Sequence, residues 1–111
     1  MKGTNLGEFE EIVLLTIASL MDDAYSVSIT DRIEEVTGRK TKLGPVHAVL
    51  NRLEEKGYIS SELGEPTKER GGRRKRFFHI SQSGKLALLQ AKNQRDKFWD
   101  TIPSIVFEGL K

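Results

Sequence analysis

Residues 43–81 read LGPVHAVLNRLEEKGYISSELGEPTKERGGRRKRFFHIS, and this stretch decides the fold. In its first third, leucines and valines recur at helical spacing. This pattern predicts a helix with Gly44 as its cap and Pro45 at its first position. Two strand-like runs follow at 58–62 and 76–80, separated by a long loop that is rich in glycine. The stretch therefore predicts a helix followed by a β-hairpin.

The loop of this hairpin carries much of the positive charge of the chain. Between Lys68 and Arg76 there are six basic residues and one Glu, a local balance of +5 in a chain whose net charge is +2. The rest of the chain is therefore net acidic. A concentrated basic segment on such a body is typical of proteins that bind polyanions, although most charge runs are simply solvated loops. Strand-like residues on both sides favour a hairpin tip over a free tail.

Two helices are predicted before this stretch. The run GEFEEIVLLTIASLM at 7–21 has apolar residues every three or four positions, and Asn5 with Glu8 resembles a capping box. Its apolar face is broad, so this helix is either central to the core or also contacts a partner chain. A second helix is predicted over 26–37, where Gly38 can adopt a left-handed cap.

A last helix is predicted from about Gly84, with Ser81 or Ser83 as its N-cap and Pro103 at its end. About 20 helical residues would extend about 30 Å, which is longer than a body of this size can cover. Its seam of alternating spacings of three and four is typical of helices that pair with another helix. We expect a homodimer whose interface includes Phe9, Val13, Leu88, Ala91, Arg95, Phe98 and Ile102.

Composition limits the alternatives. A chain of 111 residues with 37% hydrophobic content supports one modest core. There is no Cys, so we expect no disulfide. The two His are far apart in sequence, and we expect no metal and no cofactor. No apolar stretch is long enough to span a bilayer and no signal core follows the amino terminus, so a soluble, cytoplasmic protein is expected.

Three helices, a hairpin with a basic tip and a trailing helix predict a winged helix-turn-helix. The expected fold class is mainly α with a small β-hairpin (α+β). The predicted domains are a DNA-binding winged helix-turn-helix at 1–81 and a dimerisation helix with its tail at 82–111. In this architecture the third helix enters the major groove of double-stranded DNA, and the hairpin, or wing, lies along the backbone.

The sequence resembles the PadR family of bacterial transcriptional regulators, in the subclass with a single carboxy-terminal helix. The resemblance lies in LGEFEEIVLLTIA at 6–18, AYSVSI at 24–29, the whole stretch 43–81, and SGKLAL at 83–88. It implies a homodimeric repressor that binds operator DNA and releases it when a small molecule or stress signal arrives. Ser26 stands where the family usually has Gly.

The third helix carries the candidate base-reading residues. Asn51 and Arg52 have the bidentate geometry that reads adenine and guanine edges, while Arg52 could instead pair with Glu55 or bind a phosphate. His47 replaces a Tyr that contacts DNA in relatives, and Pro45 replaces a small residue. The recognition-helix candidates are Pro45, His47, Ala48, Asn51 and Arg52.

The wing supplies candidate phosphate contacts, because Lys and Arg neutralise phosphates and paired Gly lets the loop approach the duplex. Strand alternation predicts Arg74 and Arg76 on one face and Lys75 with Phe77 on the other. Basic residues before the third helix are further candidates, with solubility as an equal rival. The set comprises Lys40, Lys42, Lys68, Arg70, Arg73, Arg74, Lys75 and Arg76.

Phe98 and Trp99 are the candidate effector contacts. In some relatives the dimer interface forms an aromatic-lined cavity for planar hydrophobic compounds, and the rival interpretation is that both residues only hold the dimer together. Among other functions, a winged-helix protein-interaction module is the main alternative. An enzyme is not expected, because no nucleophile, metal cluster or phosphate-binding glycine motif is present. An RNA-binding winged helix has little support, since aromatic residues for base stacking are scarce.

Overall fold

The computed structural model of the chain describes residues 6–66 and 74–110. Its order of elements is that of a winged helix-turn-helix followed by a long helix, as the sequence predicts. The elements are α1 (Glu8–Leu20), a 3-10 turn (Met21–Asp23), α2 (Ser26–Thr37), α3 (Leu43–Glu55), β1 (Ile59–Pro66), β2 (Arg74–Ile80), α4 (Gln82–Thr101) and a last 3-10 helix (Ser104–Phe107).

The core lies between α1, α2, α3 and the base of the hairpin. Each helix contributes the apolar side chains of its inward face, and the hairpin contributes Ile59 and Phe78. The backbone N–H of Phe78 also donates to the carbonyl of Ala24 at 2.8 Å, which ties β2 to the start of α2. The cluster comprises Val13, Leu14, Ile17, Ala24, Ile29, Ile33, Val46, Val49, Leu50, Leu53, Ile59 and Phe78.

The starts of two helices differ from the prediction. Helix α1 begins at Glu8, and the Glu10 carboxylate accepts from the Gly7 N–H at 2.9 Å, so Glu8 cannot be the capping-box glutamate. Asn5 lies outside the described residues. Helix α3 begins at Leu43, so Pro45 is its third residue, where a missing N–H is still tolerated because the first four amides lack helical acceptors.

The strands β1 and β2 pair antiparallel, with Ile59 opposite Ile80, and the register becomes irregular between Leu63 and Pro66. Both strands extend further toward the tip than the predicted 58–62 and 76–80. Phe78 is buried in the core, whereas Phe77 is half-buried and meets the Tyr25 ring edge to face, with centroids 5.6 Å apart.

Helix α4 starts against the end of α3 and then leaves the body. Ser81 caps it by accepting from the Gly84 N–H at 3.1 Å, as predicted, and the helix ends at Thr101, before Pro103. The Cα radius of gyration is 16.7 Å, against about 13 Å for a compact chain of this length. Leu86, Leu89, Phe98 and Trp99 are all more than half exposed along α4.

Candidate nucleic-acid interface

The outward face of α3 is the first part of the candidate interface. Four of its apolar residues point into the core, and the intervening positions face solvent. The amino-terminal half of this exposed face has no acidic side chain, because the acids of α3, Glu54 and Glu55, lie at its carboxyl end. Four of the predicted recognition residues share this exposed surface: Pro45, His47, Ala48 and Asn51.

Arg52 is engaged inside the chain. Its Nε donates to Oε2 of Glu10 on α1 at 3.1 Å. The alternative prediction that Arg52 pairs with Glu55 is therefore wrong, because the partner comes from a different helix. Lys56, which directly follows the last residue of α3, places its Nζ 2.8 Å from the other oxygen of the same carboxylate. The carboxyl end of α3 is therefore fixed to α1 by two ion pairs.

The Glu10 carboxylate is charged despite its burial. Burial alone raises the pKa of this carboxyl, but hydrogen bonds from Lys56, from the Gly7 N–H and from Arg52 together lower the pKa below its ordinary value. Its side chain is only 10% exposed. Sequence reasoning missed this residue, because an acid on an amphipathic helix gives no local sign of partners more than forty positions away.

The wing presents two exposed arginines on one face, as strand alternation predicts. Arg74 donates through Nε to the Gly64 carbonyl at 2.7 Å, and Arg76 donates through Nη1 to the Ser61 hydroxyl at 3.1 Å. Each guanidinium thus contacts the opposite strand, and both residues remain exposed. The predicted contacts Lys68, Arg70 and Arg73 lie outside the described residues.

Lys75 faces the opposite way. Its Nζ lies 4.2 Å from the centre of the Tyr25 ring, and it is half-buried on the face that also carries Phe77. This cation–π contact joins the wing to the start of α2. Tyr25 is a packing residue here, and Lys75 is less available to a phosphate than Arg74 or Arg76.

The linker between α2 and α3 is basic and exposed. Lys40 and Lys42 are both exposed and have no ion-pair partner in the described part of the chain. Arg39, which the sequence reasoning did not single out, donates to Glu8 at 3.1 Å and lies over the Phe9 ring at 5.4 Å. The cation run in this linker was the signal that could have found it.

The predicted dimer residues do not form one surface. Val13 is fully buried in the chain's own core, which overturns its assignment to an interface between chains. Phe9 and Leu88 are partly buried against that core, and Ala91 is 8% exposed. Arg95 forms an ion pair with the buried carboxylate of Glu11, and Phe98 and Ile102 keep more exposed surface.

A groove of about 980 Å³ runs between α1 and α4. Apolar side chains from both helices line it, and Trp99 and the Glu11–Arg95 ion pair also belong to its lining. Trp99 also stacks on Phe107, with ring centroids 5.8 Å apart. Phe98 lines a different and smaller cavity of about 280 Å³. The two predicted effector contacts therefore face different spaces.

Residues 6–66 and 74–110 can be compared with what a metal site and a membrane-spanning helix require. No group of three or more potential metal ligands comes together there. No helix in these ranges is both long and apolar enough to cross a membrane.

The exposed helix α3 beside a basic hairpin defines a winged-helix DNA-binding protein. The family model of the PadR-like transcriptional regulators matches residues 14–90, so the chain belongs to this family. Members of the family are DNA-binding transcriptional regulators and not enzymes, which confirms two expectations from the sequence. A comparison with curated proteins gave no match.

Solved structures support the fold. A PadR-like transcription factor from Bacteroides fragilis is 20% identical with a TM-score of 0.71, and the match covers 84% of each chain. A PadR-like transcriptional regulator from Bacillus cereus is 17% identical with a TM-score of 0.71, covering 91% of this chain and 92% of that one. A Streptococcus mutans protein is 25% identical with a TM-score of 0.64, covering 90% of both chains.

Proposed function

We propose that the protein is a sequence-specific transcriptional repressor that binds its operator as a homodimer and releases it when a small molecule or stress signal arrives. The observation that carries this proposal is the acid-free, exposed half of α3 beside the exposed arginines of the wing. Residues 1–81 would form the DNA-binding domain, and 82–111 the dimerisation helix and tail.

In the proposed interface, one group of residues contacts the bases and another binds the phosphates. Side chains on the exposed face of α3 enter the major groove, where Asn51 can hydrogen-bond an adenine edge. His47 and Ala48 lie on the same exposed surface, and Pro45 fixes how the first turn approaches the duplex. The cations of the wing and of the linker bind phosphates, which positions α3 without reading sequence. That second group comprises Lys40, Lys42, Lys68, Arg70, Arg73, Arg74 and Arg76, with Lys75 bracing the wing.

The proposed dimer joins two copies through α4. Support comes from the large apolar side chains that α4 exposes, which include Leu89 at 56% and Phe98 at 68%. Large exposed apolar side chains gathered on one element are typical of surfaces that contact another chain. From the predicted set, Val13 and Ala91 are buried, and the residues that keep exposed surface for contact are Phe9, Leu88, Arg95, Phe98 and Ile102.

The proposed effector is a planar hydrophobic compound that binds beside Trp99. The groove between α1 and α4 has an apolar lining and a volume of about 980 Å³, which suits a ligand of drug size. Because the same helices would form the dimer contact, a ligand here could change the relative placement of the two subunits.

The test is fluorescence anisotropy with two labelled duplexes, the upstream region of the protein's own gene and a shuffled control. Each duplex is titrated with protein at low and near-physiological salt. Binding to the upstream region that persists at higher salt while the shuffled control dissociates is the expected result. Equal, salt-sensitive binding to both would contradict sequence specificity for that region. Absence of binding at low salt would instead favour a protein-interaction module.

A further inference from the structure

Glu10 is a buried acid next to the proposed DNA interface, and the proposed function gives it no role. Its carboxylate lies on α1 and accepts from the Gly7 N–H, Arg52 Nε and Lys56 Nζ at distances of 2.8 to 3.1 Å. A side chain that is only 10% exposed and negatively charged cannot itself hold a phosphate. Any part that it has in DNA binding must be exerted through its partners.

The geometry of Arg52 points to the function of this contact. Only Nε is bonded to Glu10, and within residues 6–66 and 74–110 the two terminal nitrogens make no hydrogen bond. The Arg52 side chain is 52% exposed. Because a guanidinium is planar and rigid, fixing Nε also fixes the direction in which the terminal nitrogens point.

The side of α3 on which Arg52 lies favours a phosphate over a base. Arg52 lies nine residues after Leu43, about 13 Å along the helix axis. Asn51, one residue earlier, lies on the outward face, whereas Arg52 is turned about 100° around the helix axis and held toward α1 by Glu10, which places it closer to the wall of the groove.

We propose that Glu10 is a positioning residue for DNA binding, which holds Arg52 by Nε so that its two terminal nitrogens bind one backbone phosphate. This inference rests on the proposed DNA-binding function and changes the assignment of Arg52 from base reading to phosphate contact. A guanidinium held on one edge and free on the other is suited to a bidentate contact with phosphate oxygens.

The first test compares Glu10→Gln with Glu35→Gln in the full chain, using anisotropy on the upstream and shuffled duplexes. Both variants remove one negative charge, and Glu35 belongs to an exposed ion pair with Arg32 on α2. Added positive charge alone would strengthen DNA binding. We expect Glu10→Gln to weaken binding to both duplexes about threefold to tenfold, the loss of one hydrogen-bonded contact. Glu35→Gln should bind as tightly as the wild type or slightly tighter.

The salt dependence gives a second readout that a change in stability would not reproduce. Loss of one phosphate contact should reduce the slope of log K against log salt by about 0.9 for each bound chain. A Glu10→Gln protein that binds as tightly as Glu35→Gln, with an unchanged slope, overturns the inference.

Arg52 variants keep the inference testable if Glu10→Gln folds poorly. Arg52→Lys retains the charge but has a single ammonium, which cannot hold Glu10 with one edge and a phosphate with the other. We expect it to lose most of the affinity that Arg52→Ala loses, on both duplexes, and Glu10→Gln to add nothing in that background. Wild-type affinity in Arg52→Lys, additive losses, or a loss confined to the upstream duplex would each contradict the phosphate assignment. Failure of the wild type to bind any duplex would instead remove the proposed function.

Discussion

At the scale of single residues, Glu10 links the protein's stability to pH. Its pKa is lowered in the folded state, so the ionised carboxylate stabilises the fold above the pKa of the unfolded chain. This stabilisation is lost as the pH falls through the folded pKa. We expect Glu10→Gln to reduce the free energy of unfolding by about 2 kcal/mol at pH 7, below the range for fully buried pairs because both cations are partly solvated.

Urea unfolding of the wild type and Glu10→Gln from pH 7 to pH 3.5 measures this effect. The wild-type free energy of unfolding should fall more steeply as the pH drops, so that the two proteins converge at the acid end. Glu35→Gln, whose side chain is 71% exposed, should follow the wild-type curve. Parallel curves for Glu10→Gln and the wild type would mean that Glu10 titrates as in the unfolded chain.

Gly84 gives a second prediction at this scale. A Cβ at this position would collide with the Tyr58 carbonyl oxygen and lie 2.9 Å from Cγ1 of Ile80, because α4 starts against the end of α3. We expect Gly84→Ala to cost about 2–3 kcal/mol by overpacking. Gly44→Ala is the matched control: its Cβ would meet no atom within 4 Å, and it should stabilise α3 by about 0.5 kcal/mol. Equal changes in the two variants by urea unfolding would contradict the predicted collision.

At the scale of elements, substitutions in α3 and substitutions in the wing should weaken DNA binding in different ways. Replacing Arg73, Arg74 and Arg76 with Ala should weaken binding to every duplex and reduce the salt slope, because phosphates carry no sequence information. Asn51→Ala should cost about 1–3 kcal/mol, mainly on the specific site. Anisotropy on the upstream and shuffled duplexes separates these outcomes, and an equal loss on both duplexes from Asn51→Ala would contradict its role as a base reader.

The elements that the sequence predicts well are those with local signals. Helix α2 has its predicted ends, and Gly38 takes the expected left-handed conformation at φ 73°. The start of α3 was missed because Lys42 gives no capping signal, while Pro45 is tolerated at more than one position of the first turn. The outer part of the hairpin was missed because its residues pair across the strands, up to Pro66 and Arg74, without an alternating apolar pattern.

In the candidate site, too, the sequence predicts what local signals determine and misses what depends on packing. Which residues of α3 face outward follows from helical periodicity, and Asn51 and His47 are exposed as expected. The engagement of Arg52 by Glu10 and of Lys75 by Tyr25 depends on how separate elements pack, which no local spacing encodes. The burial of Val13 has the same origin, since a broad apolar face does not reveal which part of it the chain covers itself.

At the scale of the whole molecule, the exposed side of α4 predicts self-association. Sedimentation equilibrium should give twice the chain mass of 12.5 kDa for the wild type. A charge at the proposed contact, in Leu89→Asp or Phe98→Asp, should shift the protein toward the monomer because a buried unpaired charge is costly. Val36→Asp is the control, since Val36 on α2 is 74% exposed and lies outside the proposed contact. Dissociation by all three variants alike, or a monomeric wild type, would exclude a dimer through α4.

The joint between α3 and α4 determines what such a dimer can recognise. Both Ser81 and Ser83 donate their hydroxyls to the Gly57 carbonyl, and the Ser81 N–H donates to the Tyr58 carbonyl, so the start of α4 is attached to the turn that follows α3. If two chains join through α4, this attachment sets the distance between their α3 helices. This distance decides how many base pairs separate the two halves of a palindromic operator. Three hydrogen bonds at the start of α4 would then determine which spacing between operator half-sites the protein binds.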